Sequence, residues 1–218
     1  GGGGGGAAGW ANGRGARATA LRGGGPEDEA VYKRTVEILD SKEKIPTTEI
    51  YGDTVYNVWK DDAHERGIWR RTTLPSYRTA DPQWETVLDV DALAKAEGKA
   101  WVFHGADCLP PAYGRCLISL SPGGSDASVV REFDTKTKDF VSGGFSLPEA
   151  KSRVAWRDED TLWVGTDFGP GSLTTSGYPR IVKLWKRGTP LSSATTVFEG
   201  NTEDVAASGR SEILSDGR

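Results

Sequence analysis

The chain has 218 residues, enough for one sizeable domain, and a formal net charge of −4. It offers no basic face to nucleic acid or anionic lipid, and no run approaches the ~18 apolar residues of a membrane span. No basic segment followed by an apolar one opens the chain, so no signal peptide is read and the expected compartment is the cytoplasm. Methionine is absent, which reads as a processed or partial product.

Residues 1–25, "GGGGGGAAGWANGRGARATALRGGG", form a low-complexity leader. It has too little apolar surface to offset the entropy of ordering and is expected to be disordered. Residues 26–48 are expected to form one amphipathic helix and a linker. Pro26 suits a first helical turn, Glu27, Asp28 and Glu29 suit its positive end, and Val31, Thr35, Ile38 and Leu39 recur at helical spacing. Lys42 and Lys44 fall in the last turn, and Pro46 ends it.

From residue 49 onward the pattern is one of short strands and turns. "EIYGDTVYNVWKD" alternates, and "IWRRTTL" and "WETVLDV" follow, separated by the polar stretches "DDAHERG" and "PSYRTADPQ". "DALAKAEG" suits a helical turn. The next strands are "AWVFHGAD", "RCLISLS", "ASVVREFD" and "DFVSGG"; after "LPEAK" come "SRVAW", "TLWVGTD", "RIVKLWKRG" and "ATTVFEG". These last eight form two matching sets of four, offset by about fifty residues, the spacing of four-stranded propeller blades. One such unit cannot bury both faces alone, so blades must stack. Cys116, Ile118 and Leu120 share one strand face, and Val182 and Leu184 share another. The fold class is therefore all-β, a partial β-propeller of about three blades preceded by one helix. Trp59, Trp69, Trp101, Trp156, Trp163 and Trp185 lie in expected strands and suit blade cores.

Candidate chemistry is sparse. Gly165, Gly169, Gly171 and Gly177 form a loose glycine pattern, but a phosphate cradle must open into a helix, and "YPRIVKLWKRG" reads as a strand. "GGSDA" resembles a nucleophile elbow at Ser125, yet strands flank it on both sides, so Ser125 is expected at a hairpin tip. His64 sits in a charged loop, and His104 ends a strand with Asp107 three residues on. Neither has the company of a metal site or a triad, so no catalytic residue, metal or cofactor is assigned. The acidic runs at 158–160 and 89–91 are expected in solvated turns. Cys108 and Cys116 read as two reduced, partly buried thiols, with closure of the small loop between them as the alternative.

Three long stretches carry a resemblance: "VYNVWKDDAHERGIWRRTTLPSYRTADPQWETVLDVDALA", "ADCLPPAYGRCLISLSPGGSDASVVREFD" and "FSLPEAKSRVAWRDEDTLWVGTDFGPGSLTTSGYPRIVKLWKRGTPL". From about Ile45 to Ala206 the chain resembles the N-terminal propeller of the prolyl oligopeptidase family of serine peptidases. The resemblance implies a seven-bladed propeller that covers an α/β-hydrolase domain and restricts entry to oligopeptides. The family's Ser-Asp-His triad lies in the C-terminal hydrolase domain, so none of it is carried onto these residues. The chain alone is expected to be inactive. Its open strand edges are expected to make it prone to aggregate. The tail "SGRSEILSDGR" reads as the possible start of a further blade. The alternative reading is a binding propeller without chemistry, and a carboxylate-based glycosidase channel is a weaker rival.

Overall fold

The computed structural model describes residues 26–39 and 46–212; the leader, Lys42, Lys44 and the end of the tail lie outside them. The described residues fall in two units, divided between Ile45 and Pro46. In the first, α1 spans Pro26–Leu39. Lys33 pairs with Glu29 at 3.1 Å and Arg34 with Glu37 at 3.1 Å, the helical neighbour spacing expected of surface pairs. The expected apolar line is solvent-exposed at Val31.

The second unit is built of three antiparallel sheets. The first holds β1 (Thr48–Tyr51), β2 (Thr54–Trp59), β3 (Ile68–Thr73) and β4 (Glu85–Asp89) in that order. The stretch "EIYGDTVYNVWKD" is thus a hairpin, divided by a turn at Gly52, whose φ of +58° suits glycine. Within "PSYRTADPQ" a short helix α2 (Leu74–Tyr77) forms, because Thr73 caps it by accepting from Ser76 N and Pro75 sits in its first turn. Helix α3 (Val90–Glu97) follows β4 as expected, capped by Asp89 and ended by Gly98 at φ +63°.

The second sheet orders β5 (Trp101–Cys108), β6 (Arg115–Pro122), β7 (Ser128–Asp134) and β8 (Asp139–Phe140). The segment "SLPEA", which the sequence reads as a connection, is a fifth strand, β9 (Ser146–Ala150), paired with β7 beyond the end of the two-residue β8. The third sheet orders β10 (Arg153–Asp158), β11 (Thr161–Gly165), β12 (Ile181–Lys186) and β13 (Thr195–Glu199). The fifty-residue repeat is therefore real, with β5–β8 matching β10–β13.

The period-two pattern of β6 and β7 decides how the blades stack. Cys116, Ile118 and Leu120 point to the first sheet and join Tyr56, Trp69, Trp101 and Phe133 in one core. Leu117 and Val130 point the other way and join Phe145, Trp156, Leu162 and Trp185 in a second core. Strands buried on both faces fit a blade that is sandwiched between two others. Trp69, Trp101, Trp156 and Trp185 are all buried in these seams.

Cys108 and Cys116 are disulfide-bonded, which corrects the reading of two reduced thiols. They sit opposite each other on β5 and β6, with Cα atoms 4.0 Å apart. The adjacent Leu109 N–H bonds Arg115 O at 2.8 Å, so the cysteines occupy the closely spaced, non-hydrogen-bonded kind of pair, where facing side chains meet. Sequence spacing shows neither the strand register nor the side chains' common face.

Candidate functional site

The blades converge on their first strands. The Tyr51 hydroxyl of β1 lies 2.9 Å from Glu49 Oε2 and 3.1 Å from the Ala106 carbonyl of β5. Trp156 Nε1 of β10 donates to the next carbonyl of β5, Asp107 O, at 2.8 Å. Strands β1, β5 and β10 therefore form the inner edge, and Glu49 and Asp107 bring carboxylates to it. Burial holds the Tyr51 hydroxyl well above its ordinary pKa, and the Glu49 charge adds to this. Burial likewise raises the Asp107 carboxyl, with a donor from Trp156 opposing and Glu49 reinforcing the shift.

His104 lies on the same inner strand, at a bulge between Phe103 and Gly105. Its Nδ1 is 3.0 Å from Ser128 Oγ at the start of β7. This serine–histidine pair was not legible in sequence, because the residues are 24 apart and on non-adjacent strands. Among the described residues no carboxylate bonds to the imidazole, so the pair lacks the third member that orients the base in a triad. Ser125 makes no hydrogen bond to either member; its Oγ lies 3.4 Å from Ala127 O. As expected, Ser125 lies in the β6–β7 turn, beside Gly123 and Gly124 at φ +72° and +84°, and its carbonyl accepts from Ser121 Oγ at 2.8 Å. Asp107 is not brought to His104 by any hydrogen bond in the structure, and His64 bonds locally, with Nδ1 2.8 Å from Asp61 Oδ1.

The glycine-rich loop between β11 and β12 turns the chain from strand to strand. Its first half closes on Ser172, whose Oγ donates to Gly169 O at 2.7 Å and accepts from Phe168 N at 2.9 Å, and Thr174 Oγ1 donates to Val205 O at 3.3 Å. No helix follows it, so it presents no helix N-terminus to a phosphate. At its far end Tyr178 reaches back to the second blade, donating to Asp126 Oδ2 at 3.2 Å. Lys151 stands 3.7 Å from the same carboxylate and 4.5 Å from the Tyr178 ring centroid. This Asp126–Lys151–Tyr178 cluster spans blades two and three at the end opposite the disulfide loop.

At the disulfide end, an open cleft of about 770 Å³ runs between the same two blades. Pro110 and Pro111 line it on one side, and Arg115, Lys136, Arg157 and Glu159 carry both signs of charge into it. The acidic runs act structurally. Asp91 accepts from the backbone N–H groups of Arg66 and Gly67 at 3.0 and 3.1 Å, and Asp160 accepts from Arg187 at 3.1 Å. Asp158, Glu159 and Asp160 are exposed at the β10–β11 turn as expected, and the correction concerns Asp91, which sits in the first turn of α3 and ties the β2–β3 loop to it. No group of three or more metal-ligating side chains occurs among the described residues.

The described residues form three stacked antiparallel blades, the second carrying β9 as a fifth strand. Residues 21–218 match the family model described as "Prolyl oligopeptidase, N-terminal beta-propeller domain". The chain belongs to the prolyl oligopeptidase family. Over 171 residues it is 51% identical to "Uncharacterized peptidase y4nA" of Sinorhizobium fredii, covering 78% of this chain and 24% of that protein. It is 34% identical over 197 residues to "Uncharacterized peptidase RP174" of Rickettsia prowazekii, covering 85% of this chain and 27% of the relative. The chain thus spans about a quarter of these relatives' lengths. Among solved structures, it superposes on a post-proline cleaving enzyme from Rickettsia typhi with a TM-score of 0.74 and 34% identity, covering 91% of this chain and 30% of that one. Oligopeptidase B from Leishmania major shares the fold at a TM-score of 0.55 and 17% identity, over 73% of this chain and 21% of that one.

Proposed function

We propose that these blades form part of the substrate-gating propeller of a serine peptidase that hydrolyses oligopeptides after proline. The family match over residues 21–218 carries this reading, supported by the likeness to a post-proline cleaving enzyme. The inner edge, with Glu49, His104 and Asp107, would face a passing peptide. A nucleophile, its base and its orienting acid would come from a separate hydrolase domain. The chain by itself would be inactive and prone to associate through open edges such as β13, where Val197 and Phe198 are exposed.

The test compares hydrolysis of a short proline-containing peptide with that of a folded protein displaying the same sequence. The full peptidase should cleave the first and spare the second, and the 218-residue chain should cleave neither. Equal cleavage of both substrates by the full peptidase would remove the gate. Cleavage by the chain alone, abolished by Ser128→Ala, would show chemistry at the Ser128–His104 pair.

A further inference from the structure

We propose that the Cys108–Cys116 disulfide is a redox-sensitive latch on the seam between blades one and two. The two cysteines close a loop, Leu109–Arg115, at the end of the inner hairpin. That loop does more than join β5 to β6. Its Tyr113 stacks on Tyr51 of the first blade, with ring centroids 5.2 Å apart. Tyr51 continues to Tyr56 at 5.4 Å, and Tyr56 to Trp69 at 5.0 Å, so the loop caps an aromatic ladder that runs into the seam core. The cysteines themselves are buried in that same core.

Tyr113 reaches Tyr51 from an unfavourable backbone conformation. Its φ is +51°, a region that bulky side chains occupy only when their surroundings hold them there. Three ties do so. Tyr113 N donates to Leu109 O at 2.8 Å, Thr135 N donates to Gly114 O at 3.0 Å, and the disulfide fixes both ends of the loop. Thr135 in turn offers its carbonyl to Arg71 of the first blade at 3.1 Å. Loop closure, aromatic cap and Arg71 contact thus form one connected unit on one seam. Toward the second seam the loop offers only packing and surface: Leu109 rests against the Leu117 core, and Pro110 and Pro111 line the cleft.

Reduction by a dithiol balances without any further reactant. One thiolate of the reductant attacks a cystine sulfur and expels the other cysteine as thiolate; the reductant's second thiolate then attacks its own sulfur in the mixed disulfide and expels the remaining cysteine thiolate. The reductant leaves as its cyclic disulfide, and Cys108 and Cys116 take up two electrons and two protons as thiols. The loop then keeps two weak ties where it had three, and Tyr113 is released from Tyr51.

Hydrogen exchange on the full chain, before and after dithiothreitol, tests this. Reduction should speed exchange of the Tyr113 and Thr135 amides roughly thirty-fold, the scale of one short disulfide constraint. The Phe145 amide, which belongs to the other seam, should be unchanged. Tyr113→Ala with the disulfide intact should loosen the Gly52 turn without reduction. The Cys108→Ser/Cys116→Ser variant should match the reduced protein; should it fail to fold, reduced wild type supplies the same comparison. Three results would overturn the latch: unchanged exchange after complete reduction, an equal rise at both seams, or a native disulfide that dithiothreitol does not open.

Discussion

Arg187 of blade three and Glu132 of blade two meet in a two-pronged ion pair across their seam, at 2.7 and 3.1 Å. The Glu132 side chain is 1% exposed, whereas Arg187 retains 27%. The carboxylate also accepts from Phe145 N–H at 2.9 Å. Arg187 extends to Asp160 and to the Glu159 carbonyl, so one guanidinium gathers the turn of its own blade and the core of the next.

Removing one partner of this pair should cost more than removing both. Arg187→Ala leaves the buried carboxylate with one backbone donor and the more distant Arg115 guanidinium at 3.9 Å, and a loss of about 3 kcal/mol is expected. Glu132→Leu combined with Arg187→Leu should recover much of that loss. Urea unfolding of the four members of the double-mutant cycle measures the coupling. A single-variant loss below ~0.5 kcal/mol would mean that the pair holds nothing together.

Gly144 permits that geometry. A Cβ there would stand 2.8 Å from Val141 Cβ and 2.9 Å from Glu132 Oε2. Gly144→Ala should therefore push against both the turn and the buried carboxylate, destabilising the protein by about 1–3 kcal/mol. The midpoint of denaturant unfolding reports this directly. The change should be smaller when Glu132 is already replaced by Leu, since one of the two clashes is then relieved.

Glu85 ties the other seam and gives a pH signature. It accepts from Arg71 at 2.7 Å and pairs with Lys138 of blade two at 2.8 Å. The Arg71 hydrogen bond, followed by that of Lys138, lowers its pKa to about 2 from an ordinary 4.5. A carboxylate depressed on folding contributes stability that is fully present above its unfolded pKa. That contribution fades as pH falls from 4.5 toward 2. The side chain is 48% exposed, so solvent screening keeps it to no more than about 1 kcal/mol, and salt should reduce it further. Stability of wild type and Glu85→Gln should converge at the acid end of that window. A gap that widens on acidification would contradict the assignment.

Trp156 offers a test of the inner edge. Trp156→Phe keeps the aromatic contact with Phe145 but removes the donor to Asp107 O. The Asp107 carbonyl keeps its ladder donor from Leu117 on β6 and loses the second, so thermal unfolding should register a cost of about 1 kcal/mol. Asp107→Asn leaves that carbonyl bond in place and should change stability far less.

The serines supply a functional control. In the full peptidase, Ser125→Ala and Ser128→Ala should each change kcat/KM by no more than about two-fold, the range of surface substitutions outside the chemistry. A loss of several orders of magnitude in either variant would place the nucleophile in the propeller.

Strand content, the helix at Val90 and the fifty-residue repeat were legible in sequence, because a strand with one face in each of two cores must alternate, as Cys116, Leu117 and Ile118 do. Glu132 carried a signal that was passed over: it shares a strand face with Val130, so its carboxylate had to be buried and partnered. The partner itself was out of reach, since Arg187 lies 55 residues away on another blade. The same limit hid the serine–histidine pair, the Tyr113–Tyr51 stack and the register that joins Cys108 to Cys116. Local sequence determines which way side chains alternate and where the chain turns, through short-range sterics and burial. Only stacking of the blades decides which distant charges, rings and thiols share one place, because those contacts depend on register and on the neighbouring sheet.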